Sequence, residues 1–297
     1  MTEIYTTYED DNKKKPKTKL GKLVKRAFSY NHGTRKRIWE LDILRGILMI
    51  FVTIDHCCTF GLSLGIFDFN TAFGEMIRDG IVEYTRSAFR VGIQPFGLFL
   101  FSYLSGMSCS FTKSSVKRVI KMVSFCAFFM GGYAILHLIN PDFFIASLMF
   151  NIIAVVTISV VFWAILDLIK CPTWVRLGLS ILIICVGLTF YFMYFTRDFA
   201  YINNDIMALL VYNKHGFQLS PQNFEPLFPH MGWFMLGGIM GKYIYRERRT
   251  LTKHEQPFKA FIPVAYVGKH SLVVYMIGTV LVLALVLGIR ELVALFL

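Results

Sequence analysis

Residues 38–60, IWELDILRGILMIFVTIDHCCTF, form an apolar run that carries Asp42, Arg45 and His56 within it. The run is long enough to span a bilayer as one helix. A helix turns about 100° per residue, so Arg45 and His56 fall within roughly 20° of one another and ~16 Å apart along the axis. Asp42 stands three positions before Arg45, the spacing at which helix side chains meet. One face therefore carries an ion-pair candidate near one membrane surface and a titratable imidazole toward the other. Ionisable groups at membrane depth are costly, so they point to function.

The rest of the chain fits a membrane protein. Of its 297 residues 55% are hydrophobic and only 17% are charged, with 29 Phe, against about 25% charged in soluble domains. The net charge of +12 invites a nucleic-acid reading, but its distribution argues against one. Seven apolar segments are expected to span: 39–63, 94–111, 117–138, 143–168, 174–195, 228–245 and 264–295. Gly268, Lys269 and Gly278 interrupt the last, whose span should begin near His270. With the N-terminus inside, the inner segments hold 22 Lys and Arg; the outer ones hold only Arg78, Arg86, Arg90, Arg197 and Lys214. That asymmetry predicts N-in and C-out. The expected fold is all-α, a polytopic bundle of about seven spans (38–297) behind a basic cytoplasmic tail (1–37).

Within the tail, Leu20, Leu23, Val24, Ala27 and Phe28 recur at helical spacing opposite Lys19, Lys22, Lys25 and Arg26. This suits a basic amphipathic helix on an anionic leaflet; a plain topology determinant fits as well. The acidic start, TEIYTTYEDD, reads as disordered. Residues 72–90, AFGEMIRDGIVEYTRSAFR, mix apolar and charged groups and are expected to lie along the membrane surface. The outer segment 196–227 is dense in hydrogen-bonding groups, Glu225 among them, suiting either a sugar-like acceptor or a solvated loop. The six cysteines lie in or beside apolar runs with no metal-type spacing and are expected as free thiols among helices.

Four stretches, in order, resemble the heparan-alpha-glucosaminide N-acetyltransferase catalytic family, a group of multi-pass membrane acetyltransferases. They are RIWELDILRGILMIFVTIDH, PFGLFLFSYLSGMSCSFTK (95–113), EPLFPHMGWFMLGGIMGKYIY (225–245) and VGKHSLVVYMIG (267–278). The middle of the chain, roughly 114–220, matches weakly. Arg45 and His56 are also spaced as in the broader family of membrane acyltransferases that O-acylate cell-surface sugars. The resemblance implies an acetyl group carried from cytosolic acetyl-CoA to an amino or hydroxyl group of an outer-face glycan. It also implies a cell-membrane location.

Under that reading His56 is the base, because a neutral imidazole takes and returns a proton near neutral pH; it is equally a competent nucleophile. Asp55, about 100° around the helix from His56, is a poor direct partner and is expected to meet another helix and orient the acceptor. Arg45 is placed to bind the donor's phosphates or pantetheine amides, with Asp42 holding it; a plain polar clamp between helices is the alternative. Lys269 and His270 suit phosphate contact or snorkelling. His230, His137 and Glu225 are acceptor-side candidates, with His230 also readable as an interface residue. Gly232, Gly237, Gly238 and Gly241 read as packing positions, as does Ser105-Gly106-Met107-Ser108. Relatives carry a histidine where Gly278 stands here, which admits an inactive scaffold. A small-molecule transporter is the alternative from another class, although no internal repeat supports it. Expected partners are membrane lipids, acetyl-CoA and a glycan-like acceptor; the chain is compatible with homo-oligomers and not with nucleic acid.

Overall fold

The computed structural model describes residues 38–67, 72–111, 115–139, 151–196, 204–213, 225–245, 250–252 and 257–294. The tail helix and acidic start foreseen above, and most of the 196–227 segment, lie outside these residues.

Among the described residues the regular elements are all helical. In order they are α1 (Trp39–Ser63), α2 (Ala72–Arg86), α3 (Ala88–Ser110), α4 (Ser115–Ile139), α5 (Ile152–Leu168) and α6 (Thr173–Thr196). Then follow α7 (Asp205–Leu210), α8 (Leu227–Ile244), a 3-10 turn (Lys259–Phe261), α9 (Ile262–Lys269) and α10 (Ser271–Ala294). Three of them, α1, α6 and α10, are long and apolar enough over a full window to cross a membrane.

Each of the seven apolar segments overlaps a long helix; the first matches its helix end to end, and the others have corrected ends. The second begins at Ala88 rather than near 94, because Ser87 caps it: its hydroxyl accepts from the Arg90 amide at 3.2 Å. Residues 88–90 thus belong to α3, not to a surface helix spanning 72–90. Asn151 caps α5 in the same way, its side chain accepting from the Ile153 amide at 2.9 Å. The last segment is two helices broken at His270, where the span was expected to begin.

The core centres on α8, which packs against α3, α5 and α6. Its Phe234 and Met235 are wholly buried. Glycines make the close approach possible. A Cβ at Gly106 would strike the Phe234 carbonyl, one at Gly237 the Tyr103 carbonyl, and one at Gly187 the backbone of Pro229. Gly232 faces Ser180 and Ile184, Gly238 faces Trp163, and Gly241 faces Met107 and Ser110, so all four α8 glycines are packing positions as expected. A second seam joins α1 to α9, where Gly46 abuts the Val264 carbonyl and Gly268 the Asp42 carbonyl. α1 packs chiefly on α9 and α10, whereas α3 packs chiefly on α8.

Candidate active site

Between α1 and α3 lies a cavity of about 250 Å³, walled also by Tyr84 of α2, Ile152 of α5, Glu225 and Tyr275 of α10. Its polar groups come from sequence-distant places that the fold brings together.

His56 projects from the C-terminal half of α1 into this cavity. Its ring lies 5.1 Å from that of Phe60 and packs edge-on to Tyr275 at 5.9 Å. Its buried Nδ1 has no hydrogen-bond partner among the described residues. The nearest acid is Asp55, with Oδ2 at 3.8 Å, beyond hydrogen-bond reach but close enough to stabilise an imidazolium. As neighbours on a helix, the two diverge as anticipated.

Asp55 instead meets other helices. Arg90 donates to it through both Nε (2.6 Å to Oδ1) and Nη2 (3.2 Å to Oδ2), a two-pronged contact. The Tyr84 hydroxyl adds a bond to Oδ1 at 3.2 Å. The Ser87 cap sets Arg90 in the first turn of α3, and Arg90 also donates to the Thr85 carbonyl at 3.4 Å. In α2, outside the seven apolar segments, burial first and then the Asp55 carboxylate raise the Tyr84 phenol above its ordinary value. The phenol therefore stays protonated and keeps donating.

Glu225 reaches the cavity from just before α8 and is buried. Tyr212 donates to its Oε2 at 3.0 Å, and the Nε2 of buried His230 lies 3.3 Å from the same oxygen. Burial first, then Glu225, push the Tyr212 phenol up, which fixes it as the donor. His230 Nδ1 is buried without a hydrogen-bond partner among the described residues. His230 thus backs Glu225 and does not itself line the cavity.

The remaining candidates lie elsewhere. Arg45 reaches across to α3, donating to the Leu104 carbonyl at 3.0 Å, with Asp42 at 3.5 Å; neither residue lines the cavity. Lys269 ends α9 and His270 stacks at 4.7 Å on Tyr266, while the adjacent Gly268 touches the Asp42 backbone. Asp42, Arg45, Lys269 and His270 therefore cluster about the N-terminal end of α1. His137 sits near the end of α4, and its side chain is outside the described residues. Gly278 faces Thr53, one turn before His56 on α1.

Arg90, Tyr84, Tyr212 and Tyr275 were not singled out by the sequence. Arg90 was counted only among outer basic residues, and its signal was the Ser87 cap three positions earlier. Tyr275 lies within the VGKHSLVVYMIG stretch that carries the family resemblance, so that stretch was its signal. None of the six cysteines forms a disulfide; Cys57, Cys109 and Cys126 are buried, and no metal-binding group of His, Cys, Asp and Glu occurs among the described residues.

The family model described as heparan-alpha-glucosaminide N-acetyltransferase, catalytic, matches residues 37–280. No curated protein and no solved structure gives a match. The matched region runs from the start of α1 into α10 and so takes in every described wall of the cavity. The chain belongs to the heparan-alpha-glucosaminide N-acetyltransferase catalytic family, a family of acetyltransferases, and carries helices apolar enough for a membrane.

Proposed function

We propose that the protein moves an acetyl group from cytosolic acetyl-CoA to an amino or hydroxyl group of a glycan or glycan-like acceptor at the outer face. All seven long helices then cross the membrane, with the N-terminus inside. One observation carries this reading: the His56 imidazole faces a cavity beside a carboxylate already held in place by Arg90. Neutral His56 removes the acceptor's proton as its nitrogen or oxygen attacks the thioester carbonyl. The new C–N or C–O bond forms, the C–S bond breaks, and the proton passes to the departing thiolate. Asp55 stabilises the transient imidazolium and, through its tie to Arg90, keeps a fixed position. Glu225 marks the acceptor side. Arg45, steadied by Asp42, and the neighbouring Lys269 and His270 supply positive charge for the donor's phosphates on the inner side.

Purified protein in nanodiscs tests this by acetyl-CoA binding and release of free CoA. Wild type should bind saturably and release CoA slowly. His56→Ala should cut release by about 10²–10⁴-fold while leaving binding nearly intact. Arg45→Ala should weaken binding. A folded wild-type sample that neither binds acetyl-CoA nor releases CoA would sink the proposal.

A further inference from the structure

Two arginines from different helices meet on α3. From α1, Arg45 Nη2 donates to the Leu104 carbonyl at 3.0 Å; from α4, Arg118 Nη2 donates to the next carbonyl, that of Ser105, also at 3.0 Å. Successive carbonyl oxygens of a helix stand about 3.5 Å apart, so the two Nη2 atoms lie within about 10 Å of one another. These contacts are not helix caps, because α3 runs on to Ser110 and its orphan carbonyls come later. A neutral carbonyl takes one of a guanidinium's five N–H groups and aims the fork without cancelling its charge. Nor does the fold need Arg118 to fasten α4. Ser115, the first residue of that helix, donates its hydroxyl to Asp167 Oδ2 at 3.0 Å, while the other oxygen of Asp167 takes Arg176. Arg176 also donates to the Leu166 and Cys171 carbonyls, so this knot ties α4, α5 and α6 by itself.

The distance from this pair to His56 has a chemical counterpart. The cavity follows α1 from Leu44 to His56 and α3 from Phe89 to Phe101. Arg45 and Leu104 stand just beyond its Leu44 end, and Arg45 lies ~16 Å from His56 along the α1 axis. In acetyl-CoA about thirteen bonds separate the thioester sulfur from the first phosphorus, and an extended amide chain of that length covers ~15 Å. With the thioester at His56 and the pantetheine arm laid along the cavity, the diphosphate falls at the level of Arg45, and so of Arg118.

We propose that Arg118 is the second jaw of a clamp that, with Arg45, holds the donor's diphosphate at the inner end of the cavity. The proposal rests on the acyl-transfer reading and on an N-in topology. Two Nη2 atoms within about 10 Å, each giving a charge-assisted bond of about 2.8 Å, leave a gap of about 4 Å, the width of one diphosphate. Two guanidiniums held this close repel one another, and an anion between them reverses that cost. The planar forks suit phosphate oxygens better than an ammonium would. Because Arg45 comes from α1 and Arg118 from α4, the diphosphate also bridges two helices whose other ties lie elsewhere: α1 chiefly on α9 and α10, α4 on α5.

The test uses the full-length protein in nanodiscs and follows thiol release from three donors. Acetyl-CoA carries every phosphate, acetyl-dephospho-CoA keeps the diphosphate alone, and S-acetylpantetheine has none. Wild type is compared with Arg118→Gln, Arg118→Lys and Lys117→Gln, Lys117 being the exposed neighbour on α4. Arg118→Gln should raise KM for acetyl-CoA and for acetyl-dephospho-CoA by about tenfold to a hundredfold, as losing a hydrogen bond to a charged group gives. Its kcat should hold, the mark of lost ground-state binding, and its kinetics with S-acetylpantetheine should match wild type. Arg118→Lys should fall between, and Lys117→Gln should behave as wild type. An equal loss with S-acetylpantetheine would make Arg118 structural and overturn the proposal, as would an unchanged KM for every donor. A loss confined to acetyl-CoA would move Arg118 to the ribose phosphate and overturn the diphosphate clamp. An equal effect of Lys117→Gln would reduce it to diffuse surface charge, with the same result. Where Arg118→Gln does not fold, Arg118→Lys, which keeps the charge and loses the fork, carries the same comparison of donors. CoA release that is indifferent to Arg118 would fail this inference alone; a folded wild type that releases no CoA would fail the acyl-transfer reading and the clamp with it.

Discussion

At the scale of single residues, the site depends on how one carboxylate is held. Asp55 accepts three hydrogen bonds, two from one guanidinium, so its position follows from the start of α3 more than from α1. Arg90→Ala strands that carboxylate with the Tyr84 hydroxyl alone. Losing one partner of a hydrogen-bonded charge pair at a partly buried site costs about 1–3 kcal/mol. Turnover should fall about tenfold to a hundredfold, with the KM for acetyl-CoA little changed. Arg90→Lys should recover only part, because an ammonium lacks the fork. CoA-release kinetics check this, and an unaltered kcat in Arg90→Ala would remove Arg90 as a positioning residue. At this scale the sequence showed the residues that belong to the most unusual helix. His56 and Asp55 stand out because charge in an apolar run is rare, and Glu225 because it precedes the Pro-rich start of α8. Arg90 did not stand out. In sequence it is one more basic residue between two apolar stretches, and only the packing of α3 beside α1 turns it toward Asp55. The shared helical face was real as spacing, yet Arg45 leaves it for the Leu104 carbonyl, a bond that periodicity cannot foresee.

At the scale of helices, hydropathy located every long element and missed mainly the ends. Apolar content cannot see Ser87 or Asn151 acting as caps, because a cap is a hydrogen bond to a neighbouring amide. Glycine placement was more informative. The α8 glycines were legible as packing positions, and the structure supplies their partners. Gly106→Ala would drive a methyl group into the Phe234 carbonyl, and neither helix backbone can move without disturbing the other seams. It should cost at least the roughly 1–3 kcal/mol of ordinary overpacking. Gly278→Ala is the contrast: its Cβ would stand 3.4 Å from Thr53 and Val274 side chains, which can adjust. A gain in helix propensity of about 1 kcal/mol offsets that crowding. Thermal melts in detergent should therefore show a large drop for Gly106→Ala and little change for Gly278→Ala. Equal drops would mean that the α3–α8 seam is softer than its geometry implies.

At the scale of the whole molecule, the outstanding matter is orientation. Cysteine placed at Gly80, where no atom lies within 4 Å of an added Cβ, should react with a membrane-impermeant maleimide on intact cells. Cysteine at Leu251, 63% exposed, should react only after permeabilisation. The opposite pattern would reverse the topology and with it the side from which each substrate arrives. The basic-residue asymmetry predicts this orientation; how the helices cluster was not readable, because α8 near the chain's end becomes the hub and α1 is left leaning on α9 and α10. That division bears on heredity. Gly46, Gly106, Gly237 and Gly268 admit no side chain without displacing a neighbouring backbone, so descent with modification has almost nowhere to go at those sites. Ile47, Phe51, Ile93 and Phe96 line the cavity and each keep a side open, so a lineage can reshape what the cavity accepts while inheriting its frame untouched.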